Sequence, residues 1–139
     1  MAQNIINRAA LISRYFWPSS SEKLHKERGQ RLRAAFVIHE SNPIKDKNMR
    51  KFIEHFDEKL DSYLSNGIAG ALIPSDAGNR VTDSPSVNHF FRAYYVDDWS
   101  FHALGLEFKI HPIINELIRI HLLLKKYKNE GGRLPQTTN

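Results

Sequence analysis

The chain has 139 residues, enough for one domain with its own core, and 20 Lys and Arg against 15 Asp and Glu give it a formal charge of +5. It contains no cysteine, which excludes disulfides, thiolate metal sites and a cysteine nucleophile. No stretch approaches about 18 uncharged apolar residues and the first residues lack a secretory pattern, so the expectation is a soluble cytoplasmic protein with no membrane contact, whose isoelectric point near 9.6 suits a polyanionic partner such as RNA.

Ile5, Ala9, Ile12 and Phe16 recur at the spacing of one helical face, which predicts a first helix ended by Pro18. A second helix is expected from about Glu22 to Val37, with Leu24, Leu32, Ala35 and Phe36 on its apolar arc. Arg28 falls on that arc, four residues from Leu24 and from Leu32. It must therefore be paired or face a cleft, because an uncompensated buried charge is costly. After the turn SNPI a third helix is expected at about Lys45 to Ser65, capped by Gly67. Met49, Ile53, Phe56, Leu60 and Leu64, flanked by Phe52 and Tyr63, mark it as the central core helix.

Gly67 to Ser86 is rich in Gly, Pro, Ser and Asp and reads as a long connection, with a short apolar helical turn around Ile68 to Ile73. Its GxxG lacks the strand and the Lys-Ser or Lys-Thr of a phosphate loop. The run HFFRAYYV, His89 to Val96, suits a strand, and Asp97-Asp98 turns it back into Trp99 to Leu106 as a small β-hairpin. The last helix is expected to begin with His111 as cap and Pro112 in its first turn, and to stop near Asn129 before Gly131-Gly132. Ile113, Ile114, Leu117, Ile120, His121 and Leu124 define its inward arc, yet Leu122 and Leu123 lie opposite, beside Asn115, Glu116 and Arg119. A helix apolar on two sides must be covered twice, by the hairpin or by a second subunit, and this favours a homodimer. His121 then reads as a hydrogen-bonded core histidine or as a ligand. The fold class expected is mainly α: a helical bundle of four or five helices with a small β-hairpin insertion before the last helix. Residues 1–130 would form a single helical-bundle domain and residues 131–139 a flexible C-terminal tail.

The chemistry centres on RKFIEHFDEKLD, Arg50 to Asp61, where Arg50 precedes His55 by five positions. RNA can be cut without a metal when a base takes the ribose 2′-OH proton and a cation stabilises the attacked phosphate. Histidine and arginine supply those two functions. Arg33 and His39, six positions apart, give a second match of the same kind, but that one straddles a helix end. In one straight helix, five residues set Arg50 and His55 about 140° apart, on opposite shoulders of the apolar stripe. Sharing one phosphate would take a helix distortion or a two-fold dimer with a shared cleft. The plainer reading pairs Arg50 with Glu54 and leaves His55 solvated between Lys51 and Lys59.

The same segment, with its Arg-x4-His and amphipathic, acidic continuation, resembles the signature helix of the HEPN superfamily. The resemblance implies an all-α bundle that dimerises and a metal-independent endoribonuclease, without cofactor, of the kind found in toxins, phage-defence effectors and RNA-processing enzymes. Arg50 would bind the scissile phosphate and His55 would be the general acid or base. RNA, a second copy of the chain and an antitoxin or other protein would be the partners. Lys51 stands where an Asn or Asp often follows the arginine in that family. The rival reading is a non-catalytic helical interaction module binding a protein or nucleotide. The remaining histidines show no HxH or HExxH spacing, so no metal is expected.

Overall fold

A computed structural model describes residues 2–67, 71–73, 76–80 and 88–135. Helices α1 (Ala2–Phe16) and α2 (Lys23–Ala35) are followed by a 3-10 turn at Pro43–Lys45, then α3 (Lys47–Glu54) and α4 (Phe56–Ser65). Six short strands come next: β1 (Ala71–Ile73), β2 (Asp76–Gly78), β3 (Asn88–Phe90), β4 (Arg92–Tyr95), β5 (Ser100–Ala103) and β6 (Leu106–Lys109). Helix α5 (Ile110–Asn129) closes the order. The protein is thus mainly helical, with a small mixed sheet before its last helix.

The expected hairpin is β4 and β5, antiparallel, with Tyr95 opposite Ser100. It belongs to a larger sheet of order β2-β4-β5-β6, in which β2 runs parallel to β4. Strands β1 and β3 pair in parallel separately. Three expectations are corrected here. The run His89 to Val96, expected as one strand, divides at Phe91 into β3 and β4, which belong to separate sheets. Ala71 to Ile73 is a strand, where a helical turn had been expected around Ile68 to Ile73; residues 68–70 of that turn lie outside the described residues. The segment Trp99 to Leu106 divides into β5 and β6 at Leu104-Gly105, whose φ values of 47° and 78° make the tight two-residue turn that right-twisted strands favour. Of the expected tail, residues 136–139 lie outside the described residues.

Contacts divide the chain into two compact units, each assembled from distant segments: Met1–Ile6 with Lys47–His111, and Asn7–Asp46 with Pro112–Asn139. In the first unit the core gathers around Phe52, which is 1 % exposed. Its ring lies edge-on to Phe56 at 5.4 Å, and 6.5 and 5.8 Å from Phe101 on β5 and Phe108 on β6. Met49, Ala93, Ala103 and Ile110 complete the burial.

The long third helix breaks. His55, at φ −127° and ψ 38°, leaves helical geometry between α3 and α4. Its N–H still donates to the Lys51 carbonyl and its own carbonyl still accepts from the Lys59 N–H, both at 3.0 Å, so the chain bends there without losing those hydrogen bonds. Asp57 and Glu58 in the first turn of α4 complement the new helix N-terminus. The apolar stripe is consequently buried only in α3, through Met49 and Phe52. Helix α4 has no fully buried residue, and Leu64 is exposed, so its half of the stripe is not core.

In the second unit Gly29 lets α2 approach the end of α1. A Cβ there would lie 2.7 Å from the Phe16 carbonyl oxygen and 2.8 Å from Pro18 Cδ. Phe16 stacks edge-on to Phe36 at 5.7 Å, and Phe36 to Tyr127 at 5.5 Å. The expected apolar arcs of α2 and α5 are buried only in part, through Ala35 and Phe36 on the first and Ile113 and Ile120 on the second. Leu24 and Arg28 are exposed, and Arg28 lies over the Tyr15 ring at 5.8 Å and against His25 Nδ1 at 3.4 Å, so it needs no buried partner. On α5, Arg119 donates to the Phe36 carbonyl (2.7 Å) and Tyr127 to the Ala35 carbonyl (2.6 Å), capping the end of α2. Glu116 holds Arg119 at 2.6 Å and accepts from Asn42 at 2.7 Å. Those bonds lie on the row Glu116, Ile120, Leu123 and Tyr127, none of which is exposed; of the expected arc Ile113 and Ile120 are buried and Ile114 and Leu117 half-buried, but His121 and Leu124 are exposed, which overturns the core reading of His121.

Alanine at a mid-helix glycine ordinarily stabilises by about 1 kcal/mol. Gly29→Ala should instead destabilise by about 1–3 kcal/mol, because the carbonyl and proline it would strike must shift. Urea denaturation checks this: the midpoint should fall, and a rise would show that the close approach of the helices is absent.

Candidate functional site

The bend at His55 places its side chain, 51 % exposed, beside a groove of about 430 Å³. Lys51, His55 and Lys59, four residues apart, line one side with Glu58. Ser62, Tyr63, Asn66 and Leu104, from the β5–β6 turn, complete the lining. Tyr63 is held edge-on to Phe91 at 6.1 Å, and Glu58 Oε2 lies 3.3 Å from His55 Nδ1. Such a carboxylate contact orients an imidazole and stabilises it when charged. Neither Lys51 nor Lys59 has an ion-pair partner among the described residues. The groove therefore carries two uncompensated ammonium groups on either side of a histidine.

Of the pair singled out in the sequence, only His55 lines this groove. Arg50 is half-buried on α3, has interactions of its own within the protein, and is absent from the lining. The sequence singled out Lys51 and Lys59 only as the neighbours of a solvated His55, and Lys51 also as a departure from the family pattern. The signal that could have promoted them is their offset of four residues on each side, which keeps all three on one row. The second Arg-His spacing is structural in its arginine. Arg33 donates to the Phe16 carbonyl, lies over the Trp17 ring at 5.9 Å and is 3.8 Å from Glu40.

A second polar constellation covers one face of the four-stranded sheet, and its cations are all matched. Arg80 Nη2 reaches Asp98 at 2.9 Å and His102 Nε2 at 3.0 Å, with its guanidinium 4.8 Å from the Tyr95 ring centre. Lys109 lies 2.6 Å from Glu107 and 3.2 Å from Asp98. Ser100 Oγ donates to Asp98 at 2.5 Å and lies 3.1 Å from His102. Ser, His and Asp thus meet, but Ser100 is fully buried and its hydroxyl is spent on Asp98, so the set cannot present a nucleophile. Asp98 also accepts from the Ser100 N–H at 3.1 Å, in keeping with the turn role of Asp97-Asp98. Among the described residues no group of three or more His, Asp or Glu could hold a metal ion. Nor, among them, is any helix long and apolar enough to cross a membrane.

No protein-family model, curated protein or solved structure matches this chain. The site must therefore be read from its own chemistry.

Arg80 can only donate, so His102 Nε2 must accept and the imidazole is neutral with its proton on Nδ1. Burial holds the His102 pKa below its ordinary value, Arg80 adding to that and Glu107 opposing it. The Ser100 hydroxyl, then Lys109 and Arg80, hold the Asp98 carboxyl down at about 2. The unfolded chain, with ordinary values, protonates first in both cases, so both groups contribute stability that is lost on acidification. The His102 contribution is complete above the ordinary imidazole range near about 6.5 and falls below it, and the Asp98 contribution falls below about 4. Thermal denaturation across pH should show two descending stages. His102→Gln should flatten the one near neutrality, and an unchanged profile would contradict the neutral-imidazole network.

Proposed function

We propose that this protein is a metal-independent endoribonuclease of HEPN-like type that works at the groove holding His55. The observation that carries the reading is the position of His55, half-exposed at a helix bend, braced by Glu58 and flanked by two unpaired lysines. His55 takes the proton from a ribose 2′-OH, the 2′-oxygen attacks the adjacent phosphorus, and the bond to the 5′-oxygen breaks to leave a 2′,3′-cyclic phosphate. The departing 5′-oxygen receives its proton from the imidazolium or from water. Lys51 and Lys59, to either side of His55, offset through their field part of the charge that gathers on the phosphate between them. Arg50 lies outside the groove lining, so its contact with the same phosphate would come from a second copy of the chain, in a homodimer with a shared cleft. A toxin or phage-defence role fits such an enzyme, with an antitoxin as a further partner.

The same position of Arg50 favours the second reading, a non-catalytic module that uses the groove to bind a protein or a nucleotide. RNA incubated with the purified protein in EDTA separates the two. The ribonuclease reading expects cleavage, a loss of about 10²–10⁴-fold in His55→Ala, a loss in Arg50→Ala, and partial recovery when the two variants are mixed. Intact RNA, or cleavage indifferent to His55→Ala, would leave the module reading standing.

A further inference from the structure

We infer that the groove follows one strand of RNA and seats three successive phosphates, the outer two at Lys51 and Lys59 and the middle one at His55. The choice of RNA as the polyanion rests on the ribonuclease reading; the rest comes from the spacing and charge of the groove. Residues 51, 55 and 59 are joined by unbroken backbone hydrogen bonds, Lys51 carbonyl to His55 N–H and His55 carbonyl to Lys59 N–H. At about 1.5 Å of rise per residue on each side of the bend, the Lys51 and Lys59 backbones stand at most about 12 Å apart, with His55 between them. One phosphate group is too small to bridge that span, whereas the backbone of a strand offers anions at successive intervals.

Charge selects this groove over the sheet face. Arg80 and Lys109 already face Asp98 and Glu107, so an incoming phosphate would have to displace carboxylates. Among the described residues that line the groove the only carboxylate is Glu58, which is directed at His55 and leaves both ammonium groups to a ligand. Size selects a single strand. A groove of about 430 Å³ takes little more than one nucleotide unit at a time along its floor, which suits the passage of one strand and not the rod of a duplex. The Tyr63 ring, held by Phe91, offers a wall against which an unpaired base can lie.

Fluorescence anisotropy in EDTA tests this with a 2′-O-methyl tetranucleotide, which carries three internucleotide phosphates and cannot be cut at a 2′-OH. The tetranucleotide should bind, a mononucleotide should bind at least tenfold more weakly, and a duplex of the same length should compete poorly. In a salt titration Lys51→Gln and Lys59→Gln should each reduce the slope of log K against log salt by about 0.7, the contribution of one single-strand phosphate contact. Lys109→Gln, on the sheet face, should leave the slope unchanged. Equal binding of mononucleotide and tetranucleotide, preference for the duplex, or unaltered slopes in both groove variants would overturn the inference. Tight, lysine-dependent binding without cleavage of ordinary RNA would overturn the ribonuclease reading alone. Cleavage that survives both groove substitutions would overturn the strand-following groove alone.

Discussion

The packing of Phe52 is the interaction on which the candidate site depends. Its ring meets Phe56, Phe101 and Phe108, so it fastens α3 to β5 and β6 while α4 carries no fully buried residue. An aromatic of this size at 1 % exposure commits the first half of the segment to the core. The second half is then free to turn at His55. The bend brings the row Lys51, His55 and Lys59 to a groove walled by Leu104 of the β5–β6 turn. Removing the aromatic contact would disturb the groove as much as the core.

Charge is distributed unevenly over the same unit. On the sheet face, two cations, two carboxylates, a serine and a neutral histidine satisfy one another, which is what a half-buried polar network requires. In the groove the lysines have no such partners among the described residues. Paired groups hold structure, and unpaired ones of like sign set close together raise local affinity for an anion. The chain's +5 charge states only an excess; its arrangement is what separates a stabilising face from a binding one.

Much of the helical plan was legible in periodicity and punctuation. Pro18 after the first helix, Gly131-Gly132 after the last, and the aromatic run before Asp97-Asp98 all mark boundaries that the structure keeps. What escaped was decided by distant groups or by the absence of a breaker. The apolar stripe stays in phase through His55 with neither glycine nor proline there, so nothing in the sequence announces the bend. On α5 the exposure of His121 and Leu124 goes with Arg119 and Tyr127 capping carbonyls 83 and 92 residues away in sequence, which a helical wheel cannot register. Strand β6 was hidden because Leu104 occupies a position with φ of 47° where glycine or asparagine would have signalled a turn. The candidate site was half legible: His55 stood out for its chemistry, while Arg50, five residues away, falls off the row that Lys51 and Lys59 share with it.

The central claim is that RNA meets this protein along the Lys51, His55 and Lys59 row. Backbone amide shifts recorded by NMR as the 2′-O-methyl tetranucleotide is added test it most directly. The account predicts that the largest changes fall at Lys51, His55, Lys59, Ser62 and Asn66, with Arg80, His102 and Lys109 unmoved. Changes centred on the sheet face, or none anywhere in the chain at saturating oligonucleotide, would contradict it.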